Sequence, residues 1–117
     1  PNYLKEEDDF FKGKICLDAG CGSNASATYS MLKYGAEKVY AFDVDETIFE
    51  KAPEYLKEFE GKYELKVDNV LNMQFVENFF DFVHCAGVLH HTTDPAGGIK
   101  ELGRVTKKGG ILEIMTY

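Results

Sequence analysis

Three aspartates stand at the ends of three short apolar runs. Asp18 closes Lys14-Ile15-Cys16-Leu17, Asp43 closes Val39-Tyr40-Ala41-Phe42, and Asp68 follows Tyr63 to Val67. After Asp18 comes Ala19-Gly20-Cys21-Gly22-Ser23-Asn24-Ala25. Its two glycines let the backbone turn sharply and approach a ligand, and the helix expected next presents unpaired N–H groups. Gly20-x-Gly22-x-x-Ala25 also fits the G-x-G-x-x-G/A dinucleotide pattern, which is weak evidence alone. Asp18, two positions before the first glycine, would meet a pyrophosphate unfavourably and suits a cationic amino or sulfonium group. Asp43 lies where a carboxylate accepts both ribose hydroxyls. Asp68 can accept from an exocyclic adenine amine while the next backbone N–H reaches a ring nitrogen. Together the three address an amino-acid end, a ribose and a base. Each alone is equally a solvated strand-end carboxylate; their joint position after successive strands favours the ligand.

Other candidates are the histidines and cysteines. His90 and His91 follow the fourth apolar run, where an acceptor would approach, and could serve as a general base or merely shape the loop. His84, inside that run, reads as a satisfied structural residue, and Asp81 at its start as structural. Cys16, Cys21 and Cys85 are odd in number and show no C-x-x-C spacing, which argues against a metal site and for a reducing compartment. Cys16 and Cys85 read as small buried hydrophobes, and Cys21 lacks the basic neighbour that makes a thiol reactive.

These residues need elements to hold them in register. The apolar runs are Lys14–Asp18, Val39–Asp43, Tyr63–Val67, Phe79–Ala86 and Ile111–Thr116, nearly continuous as in parallel strands covered on both faces. Helices are expected over residues 3–11, over 25–34 closed by Gly35, and over 46–60. The last of these carries an apolar stripe of Ile48, Phe49, Ala52, Tyr55, Leu56 and Phe59, with a kink or restart at Pro53. A further helix starts at Asp94-Pro95, buries Ile99, Leu102 and Val105, and stops at Gly109-Gly110. Strand alternating with helix demands right-handed crossovers and an open doubly wound sheet, with ligands beyond the carboxyl ends of the strands.

A chain of 117 residues, 44% hydrophobic, builds one domain over 1–117 with a real core. Its formal charge of −7 makes nucleic acid a poor default partner. No apolar run reaches the roughly 20 residues of a membrane span, and the acidic opening is unlike a signal peptide, so no membrane role and a cytoplasmic setting are expected.

The segments Leu17 to Gly22, Asp43, Asp68, Phe80 to His91 and Gly103 to Gly110, in that order, make the chain resemble the class I S-adenosylmethionine-dependent methyltransferases, within them the small-molecule group of ubiquinone and menaquinone biosynthesis. The likeness runs from about Gly13 to Tyr117. It implies an α/β, doubly wound, mainly parallel Rossmann-like sheet in the order 3-2-1-4-5 with helices on both faces, ending after strand five of a family sheet that has two more. It also implies S-adenosylmethionine as cofactor, S-adenosylhomocysteine as product and in-line methyl transfer to a small-molecule acceptor. By the same likeness Asp18, Gly20 and Gly22 hold the methionine portion, with the Cys21 backbone beside them. Asp43 and Val44 hold the ribose, and Asp68, Asn69 and Val70 the adenine; the backbone near Cys85 and Ala86 faces the methionine amino group. Asn24 stands where the family's first motif often has a third glycine; asparagine tolerates a left-handed backbone better than most residues, which lets the loop survive the exchange. An apolar fifth strand at the edge suggests self-association or a missing tail. Two alternatives stay open: a nicotinamide-dependent oxidoreductase, opposed by Asp18 and Asp68, and a non-catalytic cofactor-binding module.

Overall fold

The computed structural model describes residues 9–22, 24–86 and 92–115. Five parallel strands form one sheet: β1 (Ile15–Ala19), β2 (Lys38–Asp43), β3 (Tyr63–Val67), β4 (Phe80–Ala86) and β5 (Thr106–Met115), in the order β3-β2-β1-β4-β5. Strand order and direction are those expected. The central strand explains why its sequence is an unbroken apolar run: Cys16, Leu17 and Ala19 have 0% exposure because both faces are covered.

One face carries α1 (Ser26–Lys33) and α2 (Ile48–Tyr55), whose Met31, Leu32, Ile48 and Ala52 pack with Cys16, Val39 and Ala41. The other carries α3 (Pro95–Val105) and the connection from β3 to β4, joining Leu102 and Val105 to Val70, Met73, Phe80 and Val83. Tyr40, Phe75, Phe79 and Phe80 meet there edge to face, a geometry aromatic rings favour.

Several boundaries differ from expectation. The helix expected over 46–60 is shorter, running unbroken through Pro53 to Tyr55 and giving way to a 3₁₀ turn over Lys57–Phe59. In so short a helix the proline removes one donor without forcing a restart. Its stripe is correspondingly narrow: Ile48, Ala52 and Leu56 are buried, whereas Phe49 and Tyr55 are 47% and 52% exposed. Asp94 caps α3 as expected, accepting from the Gly97 N–H at 3.0 Å with Pro95 in the first turn. Ile99, however, faces outward, and Gly109-Gly110 does not stop the helix. It ends at Val105, where the Thr106 hydroxyl donates to the Leu102 carbonyl at 2.7 Å, and the chain passes straight into β5. Opposite Phe80 and Phe82 the partners are Thr106 and Ile111, so the glycines lie in an irregular stretch of strand.

Asp81 is structural, as read from its position. It accepts from the Ile15 N–H at 2.9 Å and from Lys107 at 3.1 Å, fastening β1, β4 and β5 at the end of the sheet away from the aspartates. Residues 3–8 of the expected first helix, and both His90 and His91, lie outside the described residues. Among the described residues no helix is long and apolar enough to cross a membrane.

Candidate functional site

The sheet brings Asp18, Asp43 and Asp68 to its carboxyl edge, at the ends of β1, β2 and β3. The glycine loop leaves β1 and is fastened at once to β2: the N–H groups of Gly20 and Cys21 both donate to the Phe42 carbonyl, at 2.8 and 2.9 Å. Gly22 then donates to the Asp43 carboxylate at 3.1 Å, and the other oxygen of Asp43 accepts from the Asp45 N–H at 3.2 Å. Asp43 is therefore oriented by two backbone donors while each oxygen keeps capacity to accept more.

Gly20 and Gly22 have φ of 78° and 73°, which explains glycine at both. A Cβ on Gly22 would meet nothing within 4 Å, so the loop is open on that side. Ala25, at φ 49°, is a further left-handed residue in this stretch. Ala25 is the N-cap of α1 and makes no side-chain cap.

Asp18 is 1% exposed. The Thr28 hydroxyl donates to it at 2.6 Å from α1. Burial pushes its carboxyl above the usual range, opposed by the Thr28 bond and by the nearby His84 imidazole. Asp18 is thus a buried carboxyl at the root of the glycine loop. Asp68 is nearly buried too and organises its own loop, accepting from the Asn69 N–H at 2.8 Å and the Gln74 N–H at 3.0 Å, with Lys66 at 3.9 Å. An open recess of about 450 Å³ brings together Val44, Val67, Asp68, Asn69, Asn72 and Gln74. Three expected cofactor residues, Val44, Asp68 and Asn69, share that wall.

The side chains of the other expected cofactor residues are turned into the protein. Val70 is 2% exposed and packs in the core, and Cys85 is buried on the α3 face of the sheet. Cys21 sits in the loop, where burial and then Asp18 and Asp43 push its thiol up to about 12, removing thiolate reactivity at neutral pH. The sequence reading missed Thr28, Asn72 and Gln74. Thr28 sits ten positions from Asp18 with no motif joining them; the Asp68 to Gln74 bond had a fainter signal in the run of Asp, Asn and Gln over 68–74.

This donor set fits a nucleoside with a cationic tail: carboxylates for hydroxyls and for positive charge, an apolar rim at Val44, and backbone N–H groups at a glycine turn. With the parallel 3-2-1-4-5 sheet it defines the class I S-adenosylmethionine-dependent methyltransferases, whose cofactor is S-adenosylmethionine. The chain belongs to that family, since residues 17–114 match the model described as a methyltransferase domain. The nicotinamide oxidoreductase alternative is thereby set aside. A tRNA U34 carboxymethyltransferase of Sulfurovum sp. is 35% identical over 99% of this chain and 38% of that protein. The sterol 24-C-methyltransferase erg6 of Aspergillus fumigatus is 29% identical over 99% of this chain and 31% of that protein. Among solved structures, a SAM-dependent methyltransferase from Aquifex aeolicus superposes with a TM-score of 0.71 at 28% identity, over 92% of this chain and 58% of that one. The chain spans well under half the length of these curated relatives.

Proposed function

We propose that the protein transfers the methyl group of S-adenosylmethionine to a small-molecule acceptor by in-line displacement. The observation that carries this reading is the Asp43 carboxylate, tied to the Gly22 N–H and neighbour to the recess of Val44, Asp68 and Asn69. Asp43 and Val44 would hold the ribose, and Asp68, Asn69 and the Val70 backbone the adenine. Asp18, Gly20, Cys21 and Gly22 would hold the methionine portion, with the backbone near Cys85 facing its amino group. When bound, the sulfonium supplies an already activated methyl donor. The chain's task is then alignment and exclusion of water, and positioning of this kind is worth roughly 7 to 11 kcal/mol. His90 or His91 would take a proton from an acidic acceptor if one is used.

The net charge of −7 supports a small acceptor over a polyanion. The competitor is the acceptor printed in a relative's name, tRNA. A cytoplasmic setting belongs to the same reading, supported by the buried thiols Cys16 and Cys21; so does self-association along β5.

Calorimetric titration with S-adenosylhomocysteine tests the cofactor site. Wild type should bind, and Asp43→Ala should weaken binding by about 10- to 100-fold, the loss of a charge-assisted pair of hydrogen bonds. NAD binding in preference, or an Asp43→Ala variant as tight as wild type, would overturn the assignment. Transfer of a labelled methyl group to pooled small metabolites, and not to pooled tRNA, supports the acceptor class; labelled tRNA would replace it. Binding without any transfer would leave the non-catalytic module.

A further inference from the structure

Across the sheet, one row of paired residues reads Leu65, Ala41, Asp18, His84, Glu113. In a parallel sheet such partners project from the same face, so a carboxylate, an imidazole and a second carboxylate stand side by side on β1, β4 and β5. They face α1. Thr28 of that helix bonds Asp18, and Ala27, Ser30 and Met31 line a groove of about 480 Å³ with His84, Glu113, Phe10 and Phe11. The exposure falls along the row, the side chains of Glu113 and His84 being 50% and 13% exposed and Asp18 1%.

The Glu113 carboxylate meets His84 Nδ1 at 2.7 Å. A carboxylate only accepts, so Nδ1 carries the hydrogen, and any further proton on the ring goes to Nε2. The imidazole, neighbour to Asp18 in the row, opposes the burial that on its own would neutralise that carboxylate. Asp43, the other charge acting on Asp18, opposes ionisation, and the residues that α1 and Phe10-Phe11 bring to this place are uncharged. Among the described residues that line the groove, the imidazole is the one group able to carry positive charge.

We propose that His84, oriented by Glu113, is a positioning residue that keeps the buried Asp18 carboxylate ionised, and so able to receive the cationic amino-acid end of the cofactor. The step to the cofactor rests on the site assignment of the preceding subsection; the coupling between His84 and Asp18 does not. Its consequence is that affinity for the charged half of the ligand depends on Glu113, a surface residue on the edge strand.

The test follows the Asp18 titration by carboxyl-carbon NMR in the full chain, beside S-adenosylhomocysteine affinity by calorimetry. His84→Gln should move the Asp18 midpoint upward, and Glu113→Gln should move it the same way by less. His84→Gln should weaken S-adenosylhomocysteine by about tenfold, the size of a coupling between touching residues, and by less than about twofold when added to Asp18→Asn. An unmoved Asp18 midpoint in both variants, or equal loss of affinity with and without Asp18→Asn, would overturn the inference. Glu113→Gln, altering a surface side chain, keeps the test decisive if His84→Gln fails to fold. If wild type binds no S-adenosylhomocysteine while the Asp18 midpoint still follows His84, the row stands and the cofactor assignment falls.

Discussion

Asp18 costs the folded chain stability, which is why its chemistry separates from that of an ordinary strand-end aspartate. Its carboxyl is raised above the usual 3.8 by burial, and the Thr28 bond and His84 only partly offset this. For a group raised in the folded state, stability is fully present below the unfolded value and is lost as pH rises through the folded one. The ligand-free chain should therefore weaken as pH climbs from about 4 toward neutrality. Asp18→Asn removes that loss. At pH 7 it should stabilise the ligand-free chain by on the order of 1 to 3 kcal/mol, read as a higher Tm by calorimetry, while weakening ligand binding. A lower Tm for Asp18→Asn at pH 7 would contradict the account. Where the three aspartates sit was legible from the apolar runs before them. What they bond was not: the Thr28 donor reaches Asp18 from another element, and Asp68 spends an acceptor on the N–H of Gln74, contacts that exist only once the chain has folded.

Between elements, the connection from β3 to β4 replaces a covering helix, and α3 clamps it. Glu101 accepts from Arg104 at 2.7 and 3.0 Å and from the Met73 N–H at 3.1 Å, while Arg104 donates to the Met73 carbonyl at 3.3 Å. The Arg104 bond draws the Glu101 carboxyl below its ordinary 4.5. Its contribution is present above that value and lost as pH falls through the folded one. Glu101→Gln should cost about 1 to 2 kcal/mol near neutrality, and the gap in Tm between it and wild type should close below about pH 4.5. A gap unchanged down to pH 3 would show that charge is not involved. Gly110 poses a steric question instead. A Cβ there would lie 2.9 Å from the Asp81 carbonyl and 3.0 Å from the Lys107 carbonyl, neither able to swing aside. Gly110→Ala should cost about 1 to 3 kcal/mol by denaturant titration; a neutral result would mean the strand shifts register freely. The pair of glycines looked like a helix stop in the sequence because a stop and a bulge demand the same residue, and only pairing with β4 decides between them. The over-long second helix has a similar origin: apolar spacing continued past Tyr55, but Phe49 and Tyr55 had no layer to pack against.

For the whole molecule, the unequal edges of the sheet matter most. β5 pairs with β4 on one side, and its two halves differ. The first half carries Lys107 and Lys108, exposed charges of the kind that discourage strand addition. In the second half one charge, Glu113, stands between Ile111 and Met115, which are 45% and 47% exposed, while Leu112 and Ile114 turn into the core on the other face. Exposed apolar side chains on an edge strand favour addition of a second strand. Should the added strand come from another copy, apparent mass would rise with concentration over the micromolar range. The double change Ile111→Lys and Met115→Lys puts charge on the exposed face without touching Leu112 or Ile114, and should hold the chain monomeric by light scattering. Because Ile111 lines the groove of His84 and Glu113, S-adenosylhomocysteine affinity is measured beside the mass, to separate an effect on the edge from one on that row. Concentration-dependent mass that survives the double change would place the contact elsewhere than on β5.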